Sequence, residues 1–272
     1  MFLNTQRVHL PALLSALLLL QLPILAQEAP KSEKKDAEKQ KTSAVPKEIS
    51  AQDVAESVIF IYGGILGRKN LAQIRKTSQE KGKITRYLDQ GSPDVITYEK
   101  WMMRGDDAKK DKIRIDQSNA GYKFSLLYSN EKIFGIYNDS IFTPNEAATN
   151  SLKSEVFHGL EAVFRYKENS STLALAGREK LMGVEYYLLD VTDSEGGKTR
   201  FYVSVRTFRV LMLEYDQDGA KYRRKFYDHN VAQGTLFPYR TTLFKDEKLI
   251  EENEILTVTY GQKLDETLFQ QN

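Results

Sequence analysis

Residues that could act as a nucleophile, a general base or a metal ligand are few in this sequence. It contains three histidines and no cysteine. His9, His158 and His229 stand far apart, so no histidine pair has the spacing of a metal site. No serine lies in the Gly-x-Ser-x-Gly setting of a nucleophile elbow, and no glycine-rich phosphate loop is present. We therefore expect no catalytic residue, no metal and no cofactor, and a protein that is not an enzyme.

Acidic residues of the second half could in principle form a calcium or glycosidase site. They are Glu185, Asp190, Asp193, Glu195, Asp216 and Asp218. The segments 193–197 and 216–219 combine Asp with Gly, a combination that is typical of tight turns between strands. We therefore interpret these acidic residues as turn residues.

A basic run over 221–225 is the strongest charged feature, and aromatic residues interrupt it. Arg223, Arg224 and Lys225 could form a polar patch that binds a phosphate or an acidic partner. The alternative is a strand with an outward polar face and an inward aromatic face, a pattern that breaks only at Arg224. Beyond residue 26 the chain has 38 basic and 37 acidic residues, which argues against a nucleic-acid partner.

The first 26 residues have the layout of a secretory signal peptide. Arg7 precedes an apolar run, and Ala26 is a small residue at a plausible cleavage point. An uncleaved membrane anchor is the alternative, but Pro11 and Pro23 leave the run short of the roughly 20 apolar residues that span a bilayer. Residues 27–49 are charged and nearly devoid of apolar side chains, which predicts a disordered linker. We expect one folded domain over 50–272.

Repeated β-hairpin signals dominate the chain beyond residue 172. Strands over 201–205, 208–215 and 221–228 follow one another through short turns. Further strand patterns lie at 83–90, 94–104, 112–117, 122–129, 131–138, 172–180, 185–191, 236–245 and 249–260. The fold class is therefore mainly β with some helix (α+β), as a single curved antiparallel sheet or an unclosed β-barrel of about 11 or 12 strands, with helices covering its concave side.

Three helices are available to cover that sheet. Ser50 and Asp53 have the form of a capping box at the start of the first helix, which ends at Gly63-Gly64. A short second helix is predicted over 68–76. The third is predicted over 150–166, where an apolar stripe could lie on the sheet.

Apolar and aromatic residues of the strands should line the concave side. A barrel interior of this size either packs solid or holds a ligand, and apolar walls with mobile methionines suit acyl chains. On the residues alone, the filled core and the ligand cavity remain equally open. The residues that we expect to line the cavity are Trp101, Met103, Phe124, Leu126, Phe201, Val203, Leu211, Leu213, Phe226 and Leu243.

The order of these segments resembles the outer-membrane lipoprotein-sorting proteins of the LolA/LolB-like superfamily. The resemblance covers roughly residues 50–270 and depends on topology and hairpin pattern, with no catalytic signature. It is carried by the opening helix that ends in Tyr62-Gly63-Gly64, the mid-chain helix, Phe201-Tyr202-Val203, the strand from Thr207 to Tyr215, Phe226-Tyr227-Asp228, and the segment from Gly234 to Arg240.

This resemblance implies a monomeric periplasmic carrier of the Gram-negative envelope. It would have about eleven antiparallel strands, helices that act as a lid, and a hydrophobic cavity for the acyl chains of a lipoprotein or a lipid. Envelope membrane proteins would be its donors or acceptors. The lack of cysteine excludes a lipid-anchored cysteine and favours the soluble carrier type. Relatives of this fold also include sensors, so the alternative is an interaction, scaffold or sensor domain with a filled core and no lipid cargo.

Overall fold

The computed structural model describes residues 48–270. The signal peptide expected over 1–26 and most of the linker expected over 27–49 lie outside the described residues. Within them, the helices are α1 (Ala51–Gly63), α2 (Arg68–Ile74), α3 (Glu146–Phe157) and α4 (Leu160–Phe164). The strands are β1 (Thr77–Arg86), β2 (Asp94–Met103), β3 (Lys112–Ser118), β4 (Lys123–Ser129), β5 (Lys132–Tyr137), β6 (Ser140–Phe142), β7 (Thr172–Leu181), β8 (Val184–Thr192), β9 (Lys198–Ser204), β10 (Val210–Gln217), β11 (Ala220–Ala232), β12 (Thr235–Lys245) and β13 (Lys248–Tyr260).

All thirteen strands form one antiparallel sheet in the order β6-β5-β4-β3-β2-β1-β13-β12-β11-β10-β9-β8-β7. The first strand pairs with the last in the middle of the sheet, so β6 and β7 are left as its two edges. The sheet is therefore not closed, and the strand count is thirteen where the sequence predicted about eleven or twelve. Strand β6 escaped prediction because it has only three residues, too few to show alternation; it follows a two-residue turn in which Asn138 and Asp139 adopt positive φ.

Two other elements differ from the sequence prediction. Strand β1 begins at Thr77, earlier than predicted. The alternation of apolar residues did not reveal its first part, because the polar residues Ser78 and Glu80 occupy buried positions of the inner face. The third helix is divided into α3 and α4 at His158 and Gly159, and Gly159 is extended. Helix α3 also begins earlier than predicted, since the side chain of Asn145 accepts a hydrogen bond from the backbone N–H of Ala148 (2.8 Å).

Helix α1 covers one half of the sheet. Its start is the predicted capping box, in which Ser50 Oγ accepts from Asp53 N (3.1 Å) and Asp53 Oδ2 accepts from Ser50 N (3.0 Å). Its buried face packs with α4 on strands β7–β12, in a cluster that includes Val58, Tyr62 and Phe164. None of the described helices is long and apolar enough to cross a membrane.

A buried cluster of charged side chains ties α2 and α4 to the central strands. Arg75 donates to Glu161 (3.0 Å) and to the hydroxyl of Tyr260 (3.0 Å). Arg104 lies 2.8 Å from Glu161, while Arg165 pairs with Asp111 at 2.7 Å. These buried ion pairs hold the helices on the sheet at this point.

The Glu161→Gln variant should lower the free energy of unfolding by about 3 kcal/mol, because two buried guanidinium groups would lose their shared carboxylate. Urea unfolding measures this change. The control is Glu168→Gln, which removes a carboxylate that pairs with Arg68 at 3.2 Å in a more exposed position. It should cost less than about 1 kcal/mol. Equal losses in the two variants would contradict the structural role given to the buried cluster.

Candidate functional site

A cavity of about 720 Å³ lies between α3 and the inner face of the sheet. This volume falls in the range of roughly 300–1,000 Å³ that is usual for small-molecule pockets. The lining comes from α3 and the adjoining Asn145, from strands β1–β4 and β10–β13, and from the loops that follow β1 and β10. We take this cavity as the candidate site.

The walls of the cavity are largely apolar, with polar side chains such as Arg86, Gln117 and Lys245 among them. Helix α3 contributes Ala148 and Leu152, which project towards the sheet. The strands contribute inward residues at alternate positions, as the pleat requires. These residues are Ile84, Ile115, Phe124, Leu126, Leu243 and Ile250.

The floor of the cavity, in contrast, is charged. Lys100 Nζ lies 3.2 Å from Glu80 and 3.0 Å from Glu155 of α3. Burial lowers the pKa of Lys100, but the two carboxylates outweigh burial and hold the pKa above its ordinary value. The Lys100 ammonium in turn lowers the pKa of Glu155 to about 2. The floor is therefore a buried ion network.

Tyr98 completes this floor. Its hydroxyl donates to Glu80 Oε1 (2.5 Å), and burial followed by this carboxylate raises the pKa of Tyr98. Gly82 stands opposite Tyr98 in the register, and a Cβ there would lie 2.8 Å from the Tyr98 ring. Only a glycine lets the ring cross the strand at this point and reach Glu80.

Polar contacts hold α3 over the cavity. The Ser154 hydroxyl lies within hydrogen-bond distance of Gln217 Oε1 (2.5 Å), and Gln217 Nε2 donates to the carbonyl of Asn150 (3.3 Å). Asn150 Nδ2 donates to Asp218 (2.5 Å). Together with the Lys100–Glu155 pair, these contacts attach α3 by polar groups, in addition to the apolar packing of Leu152 and Val156 on β2–β4.

An open apolar groove of about 430 Å³ continues the cavity towards the β6 edge of the sheet. Phe124, Leu126, Asn145 and Ala148 line both spaces. The remainder of the groove is formed by Tyr137, Ser140, Ile141, Phe142 and Pro144. The apolar wall thus extends from the inside of the cavity to the surface.

The ten residues that the sequence indicated as cavity lining fall into three places. Phe124, Leu126 and Leu243 line the cavity. Trp101 and Met103 stand on the opposite face of β2, because the inward positions are those of Tyr98, Lys100 and Met102. Leu211 lies at a bulge of β10 and packs in a cluster on the outer face. The remaining four, Phe201, Val203, Leu213 and Phe226, are packed in the filled core beneath α1 and α4.

The three basic residues that could have formed one patch are divided between the two faces of β11. Arg223 is on the outer face, where it pairs with Glu214 (2.7 Å) and Glu247 (2.6 Å). Lys225, also on the outer face, lies over the ring of Phe244. Arg224 points inward and lines the cavity, 3.9 Å from Glu155. Strand alternation separates them, so they do not form a continuous patch.

The filled half of the core and the cavity meet at a stack of aromatic rings. The ring of His158 lies 4.3 Å from that of Tyr215, which lies 5.2 Å from that of Tyr222. His158 Nδ1 is 2.7 Å from Thr199 Oγ1, and burial lowers its pKa to about 4. Both tyrosines line the cavity. His158 therefore packs at the boundary between the filled core and the cavity. The sequence did not predict this position.

Other candidates for chemistry have structural partners. His229 Nε2 is 3.1 Å from the hydroxyl of Tyr62. Asp193 accepts backbone N–H groups of its own turn, and Asp190 pairs with Arg200. Among residues 48–270, no group of three or more His, Asp and Glu side chains is arranged to hold a metal ion.

Comparison with known proteins identifies the fold. No protein-family model matches the sequence, and no curated protein matches it. A solved LolA superfamily protein from Nitrosomonas europaea matches 82% of this chain and 98% of its own, with 12% identity and a TM-score of 0.57. A DUF1329 family protein from Desulfovibrio piger matches 81% of this chain and 97% of its own, with 12% identity and a TM-score of 0.58. The chain has a LolA-like fold.

The Glu155→Gln variant should lower the free energy of unfolding by about 2 kcal/mol near pH 6, because Lys100 loses a buried partner. The pKa of Glu155 in the folded protein is below the ordinary value of 4.5. Ionised Glu155 therefore stabilises the fold above about pH 4.5, and this contribution is lost as the pH falls towards 2. Urea unfolding from pH 6 to pH 2.5 should show the difference between wild type and variant shrinking over this window.

The control for this pH series is Glu146→Gln, a change on the exposed first turn of the same helix. Glu146 forms no ion pair within the described part of the chain. Its variant should follow the wild-type pH dependence. If the difference in the free energy of unfolding between wild type and Glu155→Gln stayed constant down to pH 2.5, the assigned ion pair would be contradicted.

Proposed function

We propose that this protein is a periplasmic carrier or binding protein that shields lipoprotein acyl chains, or a lipid, in the cavity beneath α3. The single observation that carries the proposal is the cavity of about 720 Å³. Its walls are largely apolar, and ion pairs and hydrogen bonds help to hold α3 over it. Each methylene group removed from water contributes about 0.8 kcal/mol. A chain of about ten methylenes would thus be held firmly during an aqueous crossing.

The proposed activity requires loading and release, and α3 is the element suited to control both. Its contacts with the sheet include ion pairs and hydrogen bonds, which water can replace when the helix moves, beside the apolar contacts of Leu152 and Val156. A carrier that bound its cargo equally well in every state could not deliver it. Helix α3 therefore serves as the lid in this proposal, and no chemical step is involved.

The setting of the activity follows from two features that support the proposal together. The LolA-like fold favours a role in outer-membrane lipoprotein sorting, with envelope membrane proteins as donors and acceptors. The signal-peptide pattern over 1–26 favours export to the periplasm. A mixed-charge segment over 27–49 would then act as a tether or spacer for a monomeric domain.

The Ala148→Trp variant tests the cavity directly. An indole at this position of α3 would occupy the space between the helix and Leu126, so uptake of a fluorescent fatty acid should fall at least tenfold. Titration of delipidated protein with the fluorescent fatty acid measures this affinity. The control is Val95→Trp, which places an indole on the outer face of β2, where Val95 is 54% exposed. That variant should bind like the wild type.

Native mass spectrometry of the protein isolated from a periplasmic extract provides a second readout. A co-purified lipid or lipopeptide mass that is present in wild type and in Val95→Trp, but absent in Ala148→Trp, is the expected result. Wild-type protein that carries no such mass, and whose melting temperature does not rise with any added acyl chain, would refute the carrier function.

A further inference from the structure

Arg224 occupies an unusual position on the inner face of β11. In the register it stands between Leu213 of β10 and Leu243 of β12. Its side chain is only 16% exposed and lines the cavity. Burial of a guanidinium between two leucines costs free energy unless its N–H groups have hydrogen-bond or ion-pair partners.

The partners that the protein offers to Arg224 do not fill its donors. A guanidinium carries five N–H donors in a planar fork. Its ion pair with Glu155 is 3.9 Å long, which exceeds the distance of a hydrogen bond. Its other polar neighbours are the hydroxyl of Tyr215 and the carboxylate of Glu251, which itself lies 3.8 Å from Arg86. Arg200 shows the contrast on the same sheet, since Asp190 receives two bonds from it at 2.7 and 2.8 Å.

Glu155 cannot serve both cations of the cavity equally. Its Oε1 lies 3.0 Å from Lys100, and Lys100 also holds Glu80 at 3.2 Å. The pairs of the floor are therefore centred on Lys100. Arg224 also lines the cavity, and its closest carboxylate is beyond hydrogen-bond distance. An anion that offers two oxygens side by side, a carboxylate or a phosphate, matches the guanidinium fork in geometry and charge.

Building on the carrier function proposed above, we infer that the cavity binds an anionic amphiphile with its head inward, so that a carboxylate or phosphate contacts Arg224. The chain then follows Leu126 and Phe124 into the open groove beside Ile141. A methyl end placed against the charged floor would desolvate the ion network without replacing its contacts with water. A cationic head in the same position would face Arg224 and Lys100, whose neighbours Glu80 and Glu155 are already paired. Glu146, which forms no ion pair among residues 48–270, lies at the opposite end of α3.

Ligands with one chain and different heads test this assignment. Dodecanoate, dodecyl phosphate, methyl dodecanoate and dodecylamine would each compete with a bound fluorescent probe. In the wild type, at least one of the two anions should bind about ten- to a hundredfold more tightly than the ester, as expected for a charge-assisted hydrogen bond. The comparison of dodecanoate with dodecyl phosphate shows which anion the fork prefers. The amine should be the weakest competitor.

The Arg224→Gln variant should reduce binding of the preferred anion to the level of the ester and leave the ester unchanged. Arg224→Lys, which keeps the charge and loses the fork, should fall between the two. Lys225→Gln is the matched control, since it removes the same charge from the next residue on the outer face, and it should retain the wild-type preference. The anion-to-ester ratio is compared within each variant, so a general loosening of α3 does not imitate the effect. If Arg224→Gln does not fold, Arg224→Lys carries the same comparison.

Two outcomes separate this inference from the function on which it rests. Equal binding of anions and ester by the wild type, or equal loss of both in Arg224→Gln, would overturn the inward head while the carrier function stands. Binding of none of the four ligands would overturn the carrier function, and the assignment of Arg224 with it.

Discussion

Thirteen antiparallel strands with one buried face need more cover than four short helices supply. At about 4.8 Å between strands, the sheet is roughly 60 Å wide along its curve, whereas a helix is about 10–12 Å across. Helices α1, α2 and α4 pack closely on one half and fill it. Over the other half α3 is alone; it packs on β2–β4 and leaves a cavity beside this contact. The cavity is thus a direct consequence of unequal helical cover.

Buried ion pairs attach the helices to the sheet. Arg75, Arg104 and Glu161 fasten the helices to the middle of the sheet, and Lys100 and Glu155 do the same for α3. The apolar residues Leu152 and Val156 pack α3 on β2–β4, while its ion pairs leave part of the attachment sensitive to water and to a competing ligand. The same charged groups make the floor of the cavity polar.

Strand alternation predicted the candidate site only in part. It found Phe124, which stands between Lys123 and Ser125, and also Leu126 and Leu243, each of which follows a polar residue. It misplaced Trp101 and Met103, since the inward positions of β2 include Lys100, a residue that periodicity assigns to solvent. The first half of β1 was not predicted for the same reason, because its inward residue Glu80 is charged. The break in alternation at Arg224 was a real signal, and it marked an inward cation rather than an outer patch.

The amino-acid pattern by itself determined the antiparallel β class, the hairpin order, the capped first helix and the absence of cysteine chemistry. These depend on local propensity and on neighbours in the chain, which a sequence displays directly. Only the tertiary structure decided which half of the sheet is filled, that the third helix divides at Gly159, and that Lys100, Glu80, Glu155 and Arg224 meet in one cavity. Such a meeting depends on strands and a helix that are distant in the chain, and the low solvent exposure that makes buried charges form pairs exists only after folding.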